Sequence, residues 1–128
     1  MNLVKTYLDK DNFGGIGLFA GEFIAKDTLI WELQEDFDKV INKEDFVNLS
    51  IPMVQKKFFL RYAYEMNGKM VLCNDDARFA NHSNEANTFD KQFANKDIQK
   101  GEEIFCNYFE INDEFSEEEF NELKSFKP

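Results

Sequence analysis

The sequence predicts a mainly β domain with short helices. The first observation is the run Tyr62-Ala63-Tyr64-Glu65-Met66, Asn67-Gly68, Lys69-Met70-Val71-Leu72-Cys73. Asn-Gly between two alternating segments favours a type I′ turn, which needs positive φ at both central positions. The second is Phe13-Gly14-Gly15-Ile16-Gly17-Leu18-Phe19-Ala20, whose clustered glycines let backbone approach a ligand closely. The third is that helix punctuation is confined to two short stretches, near residues 42–60 and 116–125.

Taken in order, Leu3–Leu8 reads as a short strand and Asp9–Asn12 as a polar turn. Asp27-Thr28 is a turn, after which Leu29–Leu33 and Phe37–Ile41 read as strands, with Trp31 a core residue. Asn42 and Ser50 are N-cap candidates, and Pro52 suits a first helical turn. Val54, Phe58 and Leu60 would form the buried face of this helical insert. Tyr62 and Tyr64 are then expected on one face of one strand. In the tail, Ser116-Glu117-Glu118-Glu119 is a capping box, flanked by Phe115 and Phe120 as a hydrophobic staple, which predicts a helix over about 117–125.

Size and composition narrow the classes. The 128 residues suit one domain with one core, and 43% hydrophobic content with 15 Phe argues against disorder. The sequence shows neither a membrane-length apolar run nor a signal-peptide core, so a cytoplasmic location is the default expectation. Cys73 and Cys106 have no metal-ligand spacing, so neither a zinc site nor a disulfide framework is expected. A net charge of −10 disfavours direct binding to nucleic acid. It serves solubility, or it draws in a basic protein or peptide partner.

The most informative stretch is Arg78-Phe79-Ala80-Asn81-His82-Ser83-Asn84-Glu85-Ala86-Asn87, which holds the single histidine. Its small amide and hydroxyl side chains are poor core material and, read locally, describe a polar loop. The run also resembles the Arg-Phe-x-Asn-His-Ser-x-x-Pro-Asn signature of SET-domain lysine methyltransferases. Gly15-Ile16-Gly17-Leu18-Phe19-Ala20 resembles the Gly-x-Gly-x-Phe-Ala motif that precedes it in that family. Gly101-Glu102-Glu103-Ile104-Phe105-Cys106-Asn107-Tyr108 resembles the closing Gly-Glu-Glu-Leu-x-x-Asp-Tyr motif.

The resemblance spans about residues 14–108 and implies a SET fold: β-clip-like, several small antiparallel sheets, and a C-terminal segment threaded past the central loop as a pseudo-knot. It implies S-adenosyl-L-methionine as cofactor, with Gly15, Ile16, Gly17, Asn81 and His82 in its site. Tyr108 would be catalytic and would also face the cofactor. Arg78 and Phe79 would hold the motif in place. Tyr62 or Tyr64 would line the lysine channel. Cys106, where the family often has Phe or Tyr, would leave room for higher methylation states. Asn84, Ala86 and Asn107 depart from the usual Cys, Pro and Asp, and the segment between the last two motifs suggests a trimmed hairpin. The flanking zinc modules of many members are absent from the sequence, and the tail helix would stand in for them.

The implied reaction is in-line methylation of a neutral lysine amine in a basic segment such as a histone tail, the domain acting alone or as a homodimer. The alternative is a catalytically inactive SET-fold module that binds basic peptides. Retention of Asn81, His82 and Tyr108 together favours the enzyme.

Overall fold

The computed structural model describes residues 1–111, which build four small sheets and three short helices. Strands β1 (Thr6–Lys10) and β2 (Ile16–Ala20) pair antiparallel, with Thr6 opposite Ala20 and Lys10 opposite Ile16. The first strand therefore begins later than expected and runs through Asp9. Its turn is placed by Asp11, whose Oδ1 accepts from the N–H groups of Phe13 and Gly15 at 2.8 Å each. Gly14 supplies the positive φ of +82° at this turn.

Strands β3 (Lys39–Asn42), β4 (Tyr64–Met66) and β5 (Lys69–Leu72) form an antiparallel sheet with β5 in the centre. The hairpin turn is as expected, with φ of +52° at Asn67 and +74° at Gly68. Residues 29–33 run between two partners but do not form a ladder. Leu29 bridges Phe93, Trp31 bridges Asn2, and the N–H groups of Ile30 and Trp31 both point at the Gln92 carbonyl. Each neighbour offers one bridging position, so the extended backbone never becomes a strand. Trp31 is in the core at 2% exposure.

The insert is helical, as α1 (Lys43–Val47) and α2 (Met53–Tyr62). Asn42 occupies the N-cap position of α1, but its side chain reaches Asp45 instead of a backbone N–H. Pro52, not Ser50, caps α2, and its carbonyl accepts from Gln55 and Lys56. Val54 and Phe58 face solvent at 68% and 44% exposure, contrary to expectation. The contact with α1 is made one position round the helix, where Phe59 stacks on Phe46 at 4.9 Å.

A 3₁₀ turn (Asp76–Phe79) leads into β6 (Asn81–His82), which pairs parallel with β9 (Phe105–Cys106). Between them, β7 (Thr88–Phe89) and β8 (Phe93–Ala94) make the short hairpin, and α3 (Tyr108–Ile111) follows β9. The parallel pair lays the C-terminal strand beside the central loop. One core, with Leu18, Trp31, Val71, Cys73, Ile98, Ile104 and Cys106, underlies all four sheets. The helix expected near 117–125, with Ser116, Phe115 and Phe120, lies outside the described residues.

Candidate active site

Three chain segments meet at β6. Asn81 lies opposite Phe105 and His82 opposite Cys106, and the Ser83 N–H donates to the Cys106 carbonyl at 3.1 Å. On the other side, residues 102–104 are stitched to β2: Ala20 N–H donates to the Glu102 carbonyl, and Ile104 N–H to the Leu18 carbonyl. Asn87, buried, clamps the crossing from within. Its amide donates to the Glu103 carbonyl at 2.8 Å, and its Oδ1 accepts from the Phe105 N–H at 2.9 Å. A buried amide whose oxygen and NH₂ both bind one strand fixes that strand's register.

The Asn81 amide nitrogen reaches across to β2, 3.1 Å from the Ile16 carbonyl. The same nitrogen lies 3.1 Å from Asp11 Oδ2 and 3.0 Å from Glu103 Oε2. Asp11 and Glu103 went unrecognised in the sequence, because nothing local links position 11 to position 81. A Cβ on Gly17 would come within 2.7 Å of the Glu103 carboxylate, and one on Gly15 within 3.0 Å of Asp11 Oδ2. A side chain at either glycine would displace a carboxylate that contacts Asn81.

His82 holds the start of α3. Its Nδ1 accepts from the Tyr108 backbone N–H at 3.0 Å, so Nδ1 carries no proton. The proton then sits on Nε2, which faces Asn84 Oδ1 at 3.1 Å. The two rings lie 5.3 Å apart. The Tyr108 hydroxyl donates to the Ala80 carbonyl at 2.7 Å. Burial pushes its phenol well above the usual tyrosine range, and the Cys106 thiol and Tyr62 phenol add to the shift. Tyr108 is thus a neutral, oriented phenol.

Arg78 and Phe79 brace the loop as expected: Arg78 Nε donates to the Cys73 carbonyl at 3.0 Å, and Phe79 meets Tyr62 edge-on at 5.3 Å. The two candidate channel tyrosines are separated. Tyr62 is the last residue of α2, packed beside Phe58 and Phe79. Tyr64 begins β4 and points into the core at 4% exposure, its ring against Trp31 and under the Lys91 ammonium. They do not share a strand face, because the helix runs through Tyr62 before the chain turns extended at Ala63. Cys106 is buried behind the site, its thiol directed at the Asn81 carbonyl at 3.9 Å. The structure thus gathers Gly15, Ile16, Gly17, Asn81, His82 and Tyr108, sets Tyr62 near them, and removes Tyr64.

The SET-domain family model matches residues 15–109 of the 128-residue chain. The chain belongs to the SET-domain family. A Plasmodium falciparum protein assigned as a histone methyltransferase superposes with a TM-score of 0.58 at 25% identity, covering 82% of this chain and 93% of that one. The polycomb repressive complex 2 of Chaetomium thermophilum superposes at 0.63 with 24% identity over 89% of this chain. Its S-adenosylmethionine-bound, autoinhibited form superposes at 0.66 with 21% identity over 94%. This SET domain spans only 16% and 17% of those two polycomb chains. No curated protein sequence matches the chain.

The residues present fit the family's cofactor. Gly15 and Gly17 leave the backbone bare on either side of Ile16, and the side-chain and carbonyl oxygens around Asn81 suit a ligand bearing an ammonium group. Among the described residues, no group of His, Cys, Asp and Glu side chains is placed to hold a metal ion, and no helix is long and apolar enough to cross a membrane.

Proposed function

We propose that this SET domain is a protein-lysine N-methyltransferase that uses S-adenosyl-L-methionine and acts on a lysine in a basic protein segment of histone-tail type. The observation that carries the reading is the convergence of Gly15–Gly17, Asn81-His82 and Tyr108 through the parallel β6–β9 pair. The cofactor, when bound, supplies a methyl group carried on a sulfonium.

The chain's own residues do the rest by placement. Gly15, Ile16, Gly17 and Asn81 bind the cofactor, and His82 orients the segment that carries Tyr108. The Tyr108 hydroxyl gives its hydrogen to the Ala80 carbonyl, which sets its oxygen as an acceptor for an incoming amine. A phenol held neutral is not the base, so the substrate lysine gives its proton to water. Tyr62, with Phe58 and Phe79, lines the approach for an alkyl chain. The net charge of −10 favours a basic partner.

The test is calorimetric titration with S-adenosyl-L-methionine, followed by transfer of labelled methyl to a pool of histones and ribosomal proteins. Binding with label on lysine is expected. No binding, with or without a basic peptide, overturns the reading.

A further inference from the structure

The ten-residue helix α2 has no buried residue. A helix that short is marginal in water on its own and is held by packing an apolar face against the fold. Among the described residues, α2 has aromatic packing on one side, through Phe59 on Phe46 and Tyr62 on Phe79. The neighbouring stripe is uncovered. Val54 and Phe58, one turn apart, are exposed, and so are Ile51 and Met53 where the helix begins. The helix is also basic, with Lys56, Lys57 and Arg61 and no acidic residue. Arg61 rests 5.3 Å from the Tyr62 ring centre, and its Nε and Nη2 are buried with no hydrogen-bond partner among the described residues. A desolvated guanidinium is costly without a carboxylate beside it, so this face calls for a partner that is both apolar and acidic.

We infer that the partner is this chain's own C-terminal segment, residues 112–128, docked along the Val54–Phe58–Arg61 face of α2. Its sequence has the required chemistry: Phe120 and Leu123 at helical spacing, with Glu117, Glu118, Glu119 and Glu122 around them. It also starts in the right place. The helix α3, which ends at Ile111, packs against β4, and β4 follows α2 after the single residue Ala63. Residues 112–115, extended, span about 13 Å, most of the roughly 15 Å length of α2. A tethered partner binds at high effective concentration, so modest contacts suffice.

The experiment places a nitroxide on the full ¹⁵N-labelled chain through Asn121→Cys; the native Cys73 and Cys106 are buried, so the label goes to the new thiol. Relative to the reduced nitroxide, the backbone amide signals of Val54, Phe58 and Arg61 are expected to lose most of their intensity. Val54→Glu and Arg61→Glu, each added to the labelled chain, set a negative charge against the acidic segment and are expected to restore most of it. Val54 is exposed, so its variant keeps the fold and separates docking from damage. Full intensity at α2 in the labelled chain overturns the inference. Broadening that is unchanged in both variants also overturns it, because the tether alone would then explain the proximity. Broadening of an unlabelled ¹⁵N chain by added spin-labelled chain overturns it in favour of a second copy on this face. None of these outcomes bears on the cofactor reading.

Discussion

The backbone N–H of Tyr108 donates to Nδ1 of His82 at 3.0 Å, so the imidazole fixes where the candidate catalytic tyrosine enters its helix. Asparagine places an oxygen near the position of Nδ1, and alanine places nothing there. His82→Ala should lose about 1–3 kcal/mol in urea denaturation and most of its methyl transfer, and His82→Asn should recover part of both. No recovery in His82→Asn would show that the accepted hydrogen bond is not what His82 contributes.

Tyr108→Phe deletes the hydroxyl that donates to Ala80. Stability should drop by about 1 kcal/mol, cofactor affinity should persist, and transfer should fall on the order of 10²-fold. The raised phenol pKa keeps Tyr108 neutral through the working range, so the rate should climb with pH as the substrate amine loses its proton. A profile flat from about pH 6 to 10 would count against substrate deprotonation as the pH-dependent step.

What could be read in advance follows from range. Asn67-Gly68 specifies its turn through its own backbone preference, and the structure agrees. The β6–β9 pairing joins strands of two residues with no periodicity, so only the motifs themselves, as a family resemblance, pointed to it. Tyr62 and Tyr64 are expected on one strand because the run Tyr62–Met66 alternates. Tertiary packing instead extends α2 through Tyr62. The contacts of Asp11, Asn87 and Lys91 cross 70, 16–18 and 18 positions, where local pattern carries no information.

Tyr64 buries a hydroxyl that has no hydrogen-bond partner among the described residues. Burial pushes its phenol far up, with smaller pushes from the Cys73 thiol and Asp38. A pKa raised on folding contributes stability that is full below the unfolded value, about 10, and is lost as pH rises above it. Urea midpoints should therefore fall more steeply between about pH 9 and 11 for wild type than for Tyr64→Phe. At neutral pH, Tyr64→Phe should be neutral or gain up to about 1 kcal/mol, since it removes an unpaired polar atom. A clear loss at neutral pH would mean that the hydroxyl has a partner.

Lys91 sends its ammonium into the core from a loop where Asp90 and Lys91 both take positive φ. It lies 3.3 Å from Cys73 Sγ, 4.6 Å from the Tyr64 ring centre and 5.2 Å from that of Trp31. Burial works against its charge, but Cys73, Cys106 and Asp75 together outweigh it and the net shift is upward. The ammonium therefore depends on soft partners. Removing one while leaving the charge should be costly, and removing the charge itself should not. Cys73→Ala should cost about 2–3 kcal/mol, whereas Lys91→Met should be neutral or stabilising. In the double variant the cost of Cys73→Ala should shrink to about 1 kcal/mol, the part due to lost packing. Additive losses in that cycle, measured by urea denaturation, would show that Cys73 and Lys91 are not energetically coupled.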